Sequence, residues 1–319
     1  MTDRPSPDRG RRLRAVLAVS TYRYDEAVLT LLEGARKDAA LELFERVLVV
    51  DSIGTGRMPA ELAARFGSQV QYHAADRNLG SAGNLALRLQ LAADAGADVV
   101  YAVNHDGSVE RATVTRLFQA ACELGATSAT PRFGALFPLR RLTHRQGRYD
   151  LTGRWSFPVP SRLHAEKPRE PLLEVYWSSS NPALYALAPV REGLTPWGDL
   201  WMGWEDLGYG WLLHRHGLKQ YVVTDAVTDD GYELRPVAGS SVYISDKPAW
   251  YAYYAARNLV LVTKRVRPGP LRALAVASRI ALEAGVTVVA RRDKRARLSY
   301  LAHGVADGLR GRTGKWRLP

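Results

Sequence analysis

The sequence predicts an α/β protein built on a mostly parallel sheet. Short apolar, β-branched runs alternate with helix-periodic segments of roughly 10–15 residues through the first half of the 319-residue chain, a pattern typical of βαβ units. Polar side chains follow these runs where the runs end, and open α/β sheets bind ligands beyond the carboxyl ends of their strands. With 46% hydrophobic and 24% charged residues, the chain has a globular composition and the length to bury a sizeable core.

The elements of the first half follow in chain order. Strands are predicted at AVLAVS (15–20), RVLVVDS (46–52), QVQYHA (69–74) and DVVYAVNHD (98–106). Helices are predicted at about 25–40, at 81–94 and at VTRLFQAACEL. Residues 131–176 are rich in Pro, Arg and aromatic side chains and lack helical periodicity, so they are interpreted as an irregular hairpin excursion.

The second half predicts two more strands and three helices. The strands are SSSNPALYAL (178–187) and KQYVVTDAV. A helix over 203–217 has acids in its first turn and Gly217 as its cap, and Asp246-Lys247-Pro248 opens a long helix. The helical pattern at 271–290 is apolar except for one stripe of Arg272, Arg279 and Glu283, plus Ser278 and Thr287; these charges argue against a membrane span.

Charge is concentrated at the C-terminal end. Residues 257–319 hold 15 basic and 3 acidic residues, which accounts for the whole net charge of +12, whereas residues 1–256 hold 29 of each sign. A basic arm of this kind indicates a polyanionic partner, either nucleic acid or anionic lipid. The single Cys122 excludes a disulfide framework and a multi-thiolate metal site. The polar, basic start of the chain predicts no signal peptide.

Two segments are candidates for binding a nucleotide. Asp51 ends the second strand, where its carboxylate could accept hydrogen bonds from a nucleobase or ribose or could simply belong to a turn. In DRNLGSAGN (76–84), Gly80 and Gly83 allow close backbone approach, the following helix N-terminus suits a diphosphate, and Arg77 could add charge. The alternative is an ordinary turn in which Ser81 caps the helix.

Carboxylates after two other strands are candidate metal ligands. Asp106 could hold Mg²⁺ or Mn²⁺ that bridges two phosphates; Asn104 is a weaker ligand and His105 suits Mn²⁺ better. Asp229 and Asp230 could supply further ligands. In each case the alternative is a turn at the end of a strand.

A candidate general base lies at the start of a predicted helix. One carboxylate of Glu205 and Asp206 could deprotonate an acceptor hydroxyl, although acids in a first helical turn are also favoured by the helix dipole. In the long helix after 248, Trp250, Tyr254, Arg257 and Asn258 share a face. That face could line a cleft with Arg257 near phosphate, or the aromatic residues could pack against the body.

These motifs, in this order, resemble the family 2 inverting glycosyltransferases. The resemblance covers about residues 14–265 and is closest to the rhamnosyltransferase and galactofuranosyltransferase branch. It rests on VVDS, RNLGSAGN, VNHD, SSSNPALYAL, WEDLGYGWLLHRHG and YYAARN. It implies a GT-A fold, here with a C-terminal helical extension, that binds a nucleoside-diphosphate sugar and a divalent metal, Mg²⁺ or Mn²⁺.

The resemblance also assigns roles to single residues. It implies that Thr21, Asp51, Asn78, Gly80, Gly83 and Asn84 lie beside the donor, that Asn104 and Asp106 match the metal-binding motif, and that Asp206 acts as general base beside Glu205. The full predicted donor-binding set adds Tyr22, Arg77, Asn104 and His105, and the predicted acceptor or phosphate contacts are Trp177, Ser179, Trp204 and Arg257. Two departures concern the metal: Asn104 replaces the first Asp of the Asp-x-Asp motif, and Asp229-Asp230 stands near the place of a missing His.

The predicted organisation has three parts: a disordered tail (1–13), a GT-A catalytic domain (14–247) and a basic helical region (248–319) for peripheral membrane attachment or dimer packing. The predicted reaction moves a sugar, rhamnose or galactofuranose, from a dTDP- or UDP-sugar to a glycan or lipid-linked acceptor in cell-wall or polysaccharide biosynthesis. The predicted location is the cytoplasm, at the inner face of the plasma membrane.

Two other functional classes share features with this sequence. A nucleic-acid-binding protein would use the basic arm, but after the long helix that arm has only Tyr300 and Trp316 for base stacking, so we expect no nucleic-acid partner. A nucleotidyltransferase would be expected to have a glycine-rich, basic loop directly after the first strand. This chain has STYRYDE at that place.

Overall fold

The computed structural model describes residues 11–316 except 55, 144–145, 155–156, 158–163, 231–233, 237–242, 246 and 267. The predicted N-terminal tail therefore lies mostly outside the described residues, as does Asp246. The strands are β1 (Ala15–Thr21), β2 (Arg46–Asp51), β3 (Val70–Ala74), β4 (Val99–Asn104), β5 (Phe133–Leu142), β6 (Tyr149–Asp150), β7 (His164–Ala165), β8 (Leu172–Val175), β9 (Ala183–Ala186), β10 (Lys219–Asp230), β11 (Leu234–Pro236) and β12 (Tyr243–Ser245). The helices are α1 (Asp25–Lys37), α2 (Met58–Phe66), α3 (Gly80–Asp94), α4 (Arg111–Glu123), α5 (Ala188–Arg191), α6 (Glu205–Arg215), α7 (Tyr251–Val266), α8 (Pro270–Ala290) and α9 (Lys294–Leu309).

A mixed sheet forms the centre of the molecule, with the strand order β3-β2-β1-β4-β9-β5-β10-β8. The first four strands are parallel, and β1, β2 and β4 are buried almost throughout, as expected for strands covered by helices on both faces. Apolar clusters fill both faces of the sheet. The predicted parallel α/β half is confirmed.

The segment 131–176 was predicted wrongly in part. Residues 133–142 form β5, a long buried strand between β9 and β10, instead of an irregular excursion. Pro138 lacks the N–H of an ordinary sheet residue, and β10 shifts its register between Val223 and Val227, where it pairs with Pro138 and Leu139. The proline is thus accommodated at an irregularity, which sequence periodicity does not reveal.

Strand directions bring several polar segments to one edge. Strand β9 runs antiparallel to β4, so the SSSN segment that precedes it lies at the edge where β4 ends. Strand β5 runs antiparallel to β9 and β10 is parallel to β5, so β10 also ends at this edge. We call it the carboxyl edge; it collects the ends of β1, β2, β4 and β10 and the start of β9.

The C-terminal helices belong to the same packed body. Helix α7 is mostly buried, and a third apolar cluster joins it to α6 and α8. Helix α9 approaches α7 closely, since a Cβ on Gly304 would lie 2.3 Å from the carbonyl oxygen of Tyr253. The following segment returns to α7, where Trp316 stacks on Tyr253 with ring centroids 4.3 Å apart. The basic region is therefore no detached arm.

Helix α8 differs from its expectation. Within the described residues it is the one helix long and apolar enough to cross a membrane, with 21 residues and a mean hydropathy of 1.7. The charged residues Arg279 and Glu283 do not lower the mean hydropathy of α8 below the level expected of a membrane span. A single helix that meets a test of length and composition is weak evidence for a span.

Candidate active site

The register of the parallel strands aligns the polar residues that end them. Ser20 lies beside Asn104, and Thr21 lies beside Asp51. The Ser20 hydroxyl donates to Asn104 Oδ1 over 2.7 Å, and the backbone N–H of His105 donates to the Ser20 carbonyl. The VNHD segment is thereby fixed against the end of β1.

Asn181, a residue that sequence reasoning missed, ties this segment to the start of β9. Its Oδ1 accepts from the Asn104 backbone N–H, and its Nδ2 donates to Asp106 Oδ1, both over 2.9 Å. Gly107 is required here because a Cβ would lie 2.4 Å from Asn181 Oδ1. The polar run Ser178-Ser179-Ser180-Asn181 before an apolar strand was the available signal.

Arg88 was also missed. It lies on α3 and is 2% exposed, with Nη1 donating to the carbonyls of Ala18 and Val103. Its Nη2 reaches Asn104 Oδ1 over 3.4 Å. Burial lowers the pKa of Arg88 to about 10, while the charges of Tyr185 and Glu205 raise it. Arg88 therefore places a buried positive charge behind the carboxyl edge.

At the start of α3, which is predicted to bind a diphosphate, two backbone N–H groups already donate within the protein, and diphosphate binding there stays a prediction. The Gly80 N–H donates to Asn78 Oδ1, and the Ala82 N–H donates to the Trp201 carbonyl. Gly80 has φ of +66°, and a Cβ there would lie 2.0 Å from Trp201 O, so this glycine allows approach of protein backbone. Asn78 thus closes a turn just before the helix, whereas Ser81 Oγ is buried with no hydrogen-bond partner among the described residues. Arg77 is exposed beside this turn.

Three residues predicted to bind the sugar donor are buried behind the carboxyl edge of the sheet. Asp51 is 0% exposed, and its two oxygens accept from the Ile53 N–H and the Tyr72 hydroxyl. Asn84 is 2% exposed and donates to Val50 O and Ser52 Oγ. Asp51 and Asn84 therefore hold the turn after β2, and their contact with a donor stays a prediction. Thr21 is 2% exposed, but its hydroxyl has no partner.

Asp206 and Glu205 begin α6 after a strained loop. Trp201 and Trp204 have φ of 63° and 62°, in the left-handed region that side chains seldom adopt. Asp206 is partly buried and its Oδ1 accepts from the Leu207 N–H. Burial and then the charge of Glu205 raise the pKa of Asp206 to about 7, against the backbone N–H of Leu207 and the cations Lys247 and Arg140. An acid with this pKa can accept a proton near neutral pH.

Asn258 and Arg257 hold the strained loop from α7. Asn258 Nδ2 donates to the carbonyls of Leu200, Met202 and Gly203 over 3.0, 2.6 and 2.8 Å. Arg257 is 0% exposed and donates to Leu200 O and Gly314 O. The guanidinium of Arg257 is thus buried and engaged by backbone carbonyls, and its phosphate contact stays a prediction.

Comparisons with known proteins give structural matches alone. No protein-family model matches the chain, and no curated protein matches its sequence. TarS residues 1–349 of S. aureus superpose with a TM-score of 0.57 and 13% identity, covering 93% of this chain and 81% of that one. For the Pyrobaculum calidifontis mannosyltransferase PcManGT the values are 0.53 and 16%, over 95% and 89%. For GalNAc-T7 they are 0.60 and 12%, over 93% of this chain and 56% of that one.

The fold is GT-A. The predicted fold class is thereby confirmed, and the structural neighbours are GT-A glycosyltransferases. The rhamnosyltransferase and galactofuranosyltransferase branch stays a prediction.

Within this GT-A fold, Asp106 is the predicted metal ligand whose surroundings fit a cation. Its side chain is exposed, and among the described residues only Oδ1 accepts a hydrogen bond, from Asn181. Asn104 Oδ1 instead accepts from Ser20 and Arg88. No group of three or more His, Cys, Asp or Glu side chains suited to a metal occurs among the described residues. The donor set fits a cation held by one carboxylate and by phosphate oxygens of a ligand.

Asp229 has another partner. Its Oδ1 accepts from Arg141 Nε over 2.7 Å, and this hydrogen bond holds the pKa of Asp229 below its usual value. The side chain of Asp230 lies outside the described part of the structure. Metal binding by these two residues stays a prediction.

Exposed tyrosines and a shallow pocket lie near the carboxyl edge. Tyr24 is 56% exposed and stacks on His105 with ring centroids 4.3 Å apart, and Tyr22 is also exposed. A shallow pocket of about 480 Å³ beside β3 is lined by His73, Ala74, Ala75, Asp76, Leu79, Gly83 and Leu87.

The residues predicted to contact the acceptor lie by α6. Trp177 is 8% exposed and meets Trp204 edge to face at 6.2 Å, so its ring packs in the core. Trp204 is partly buried, and Ser179 Oγ accepts from the Asn181 N–H over 3.4 Å. The burial of Trp177 leaves Ser179 and Trp204 as the more accessible candidates.

Proposed function

We propose that this protein is an inverting glycosyltransferase that moves a sugar from a nucleoside-diphosphate donor to a hydroxyl group. The observation that carries the proposal is Asp206, a carboxylate with a pKa of about 7 at the start of α6 in a GT-A fold. The neighbours add support: one TarS structure contains UDP-GlcNAc, and the PcManGT structure contains GDP-Man and Mn²⁺.

The proposed reaction is a single displacement. The acceptor oxygen attacks the anomeric carbon, the bond from that carbon to the diphosphate oxygen breaks, and the acceptor proton moves to Asp206. The neighbouring Glu205 carboxylate raises the pKa of Asp206 and so favours proton uptake by Asp206. Asn258 holds the loop that orients this pair.

A divalent cation fits the proposal at Asp106. When bound, Mg²⁺ or Mn²⁺ neutralises negative charge on a departing diphosphate. Asn181 orients the Asp106 carboxylate, and Ser20 and Arg88 fix Asn104 beside it. Because Asn104 already accepts two hydrogen bonds, we assign it to positioning.

The finer substrate assignment rests on the motif resemblance alone. It favours a dTDP- or UDP-sugar carrying rhamnose or galactofuranose, and a glycan or lipid-linked acceptor in cell-wall or polysaccharide biosynthesis. We also propose a cytoplasmic location at the inner face of the plasma membrane, on the basis of the basic C-terminal region.

Calorimetric titration with nucleoside diphosphates and short nucleic acids tests the substrate class. We expect nucleotide binding that strengthens with Mn²⁺ and no tight nucleic-acid binding; the reverse pattern would reject the proposal. With an active donor and acceptor, NMR of the product then reads the anomeric configuration. A product that retains the donor configuration would exclude the inverting displacement by Asp206.

A further inference from the structure

Helix α8 directs its charged residues toward the protein body and its apolar residues toward the solvent, which is the reverse of an ordinary surface helix. Its charged residues lie on the side of the body: the Arg272 guanidinium lies 5.1 Å from the centre of the Trp211 ring, and the side chain of Arg279, which pairs with Glu283 at 3.3 Å, is only 16% exposed. Arg291, which follows the helix, pairs with Glu283 at 3.7 Å and is 9% exposed. Surface helices normally place their charges outward.

The outward face of α8 is apolar. At ~100° per residue, the exposed positions cover one half of the helix surface, and Ser278 is the one polar side chain among them. Within the described residues, nine large apolar side chains are strongly exposed and five lie on this face: Leu271, Leu274, Leu282, Val288 and Val289. Leu271 and Val289 are 82% and 76% exposed. A continuous patch of this kind marks an interaction surface.

Exposed basic residues come directly after α8 in the chain. Arg292, Lys294 and Arg295 are exposed at the end of α8 and the start of α9, and none of them forms a salt bridge with a described residue. An apolar helix face next to unpaired cations matches an anionic lipid surface, where acyl chains take the apolar side chains and headgroups take the cations.

A second copy of the chain fits this face less well. The helix is roughly 31 Å long and ~10 Å wide, so one helix face covers ~300 Å², well below the ~800 Å² per partner of a stable protein interface. A bilayer has no such area requirement, and its anionic headgroups also take the adjacent cations.

We propose that the outward face of α8 docks on an anionic lipid bilayer with the helix lying in the interfacial plane. The ion pairs of Arg279 and Arg291 with Glu283 stay on the protein side, which keeps charge out of the acyl region. The inference concerns attachment and does not depend on the proposed transferase activity.

Vesicle flotation of the full chain tests the proposal. We expect binding to phosphatidylcholine vesicles that contain phosphatidylglycerol and weaker binding to phosphatidylcholine alone. The double variant Leu274→Glu/Leu282→Glu should lower partition by ~100-fold, because it removes two leucines from the lipid and adds two anions. Leu309→Glu is the matched control: Leu309 is 64% exposed on α9, outside this face, and its change should leave binding intact.

A second variant tests the electrostatic part. Replacing Arg292, Lys294 and Arg295 by Gln should weaken binding to the anionic vesicles by roughly 100-fold, about 5-fold per residue, with little effect on neutral vesicles. Circular dichroism verifies that each variant is folded. Equal binding of wild type and the double variant, or no vesicle binding by wild type, would overturn the proposal. A dimer in light scattering that the double variant abolishes, without vesicle binding, would assign the face to a second copy instead.

Discussion

The substitution Asp206→Asn tests the proposed base in activity and in stability at once. Asparagine keeps the shape of the side chain and the Oδ1 that accepts from Leu207 N–H, but it cannot accept the acceptor proton. Because a general base contributes ~10²–10⁴-fold, we expect kcat to fall by that factor while donor binding is retained. The matched control is Asp225→Asn. Asp225 is an exposed carboxylate on β10 that pairs with Lys167.

The raised pKa of Asp206 gives the pH dependence. With a pKa of about 7, the base is ~9% ionised at pH 6 and ~91% ionised at pH 8, so kcat should rise ~10-fold between these values. The assay is the initial rate of nucleoside-diphosphate release at saturating donor and acceptor. A flat profile, or an Asp206→Asn enzyme within ~10-fold of wild type, would refute the assignment.

Stability should change in the opposite direction. A carboxyl whose pKa is higher in the folded state than its unfolded value of ~3.9 binds more protons when folded, so the free energy of unfolding decreases as pH rises from about 4 to 7. Above pH 7 the ionised Asp206 costs on the order of 1–4 kcal/mol, since one pKa unit is ~1.4 kcal/mol. Asp206→Asn lacks this cost and should be the more stable protein at pH 8 in thermal denaturation. A lower melting temperature would show that the carboxylate stabilises the fold.

Three further predictions concern the supports of the site. Asn258→Ala removes three hydrogen bonds to the loop before α6, so chemical denaturation should show a loss of ~2–4 kcal/mol and kcat should fall at least ~10-fold; wild-type kcat would refute the positioning role. Gly80→Ala forces a Cβ to 2.0 Å from Trp201 O at φ of +66°, which should cost more than ~1 kcal/mol, whereas Gly34→Ala in open space on α1 should stabilise by ~0.5–1 kcal/mol; similar thermal shifts in both would contradict the steric argument. Asp106→Asn should raise the Mn²⁺ concentration for half-maximal activity at least ~10-fold, and an unchanged Mn²⁺ titration would remove Asp106 from the metal site.

Much of the fold could be predicted from the sequence because its signals are local. Strand β4 is a continuous apolar run that ends in polar residues, and α3 and α8 were predicted to within one residue at each end. Strand β5 was missed because Pro138 and the arginines at 140–141 imitate a loop, and only pairing with β9 and β10 makes the segment a central strand.

The site divides in the same way. The chemical types at the carboxyl edge follow from the sequence: a carboxylate at Asp106, a pair at Glu205-Asp206 and polar residues at Asn104 and Asn181. Which of them face a ligand does not, because exposure and hydrogen-bond partners depend on distant segments. The Asp51 carboxylate is bound by the Tyr72 hydroxyl. The Arg257 guanidinium donates to carbonyls that lie 57 residues before and 57 residues after it in the chain.

The sequence by itself determined the alternation of elements, the order of the motifs and the surplus of basic residues at the C-terminal end. The tertiary structure decided that Asp206 has a pKa near 7, because the burial that contributes most to the rise is a property of the assembled protein, whereas its neighbour Glu205 is given by the sequence. It also decided that the charged stripe of α8 points inward and its apolar face outward. A helical pattern defines two faces, but only packing against the rest of the chain determines which of them meets the solvent.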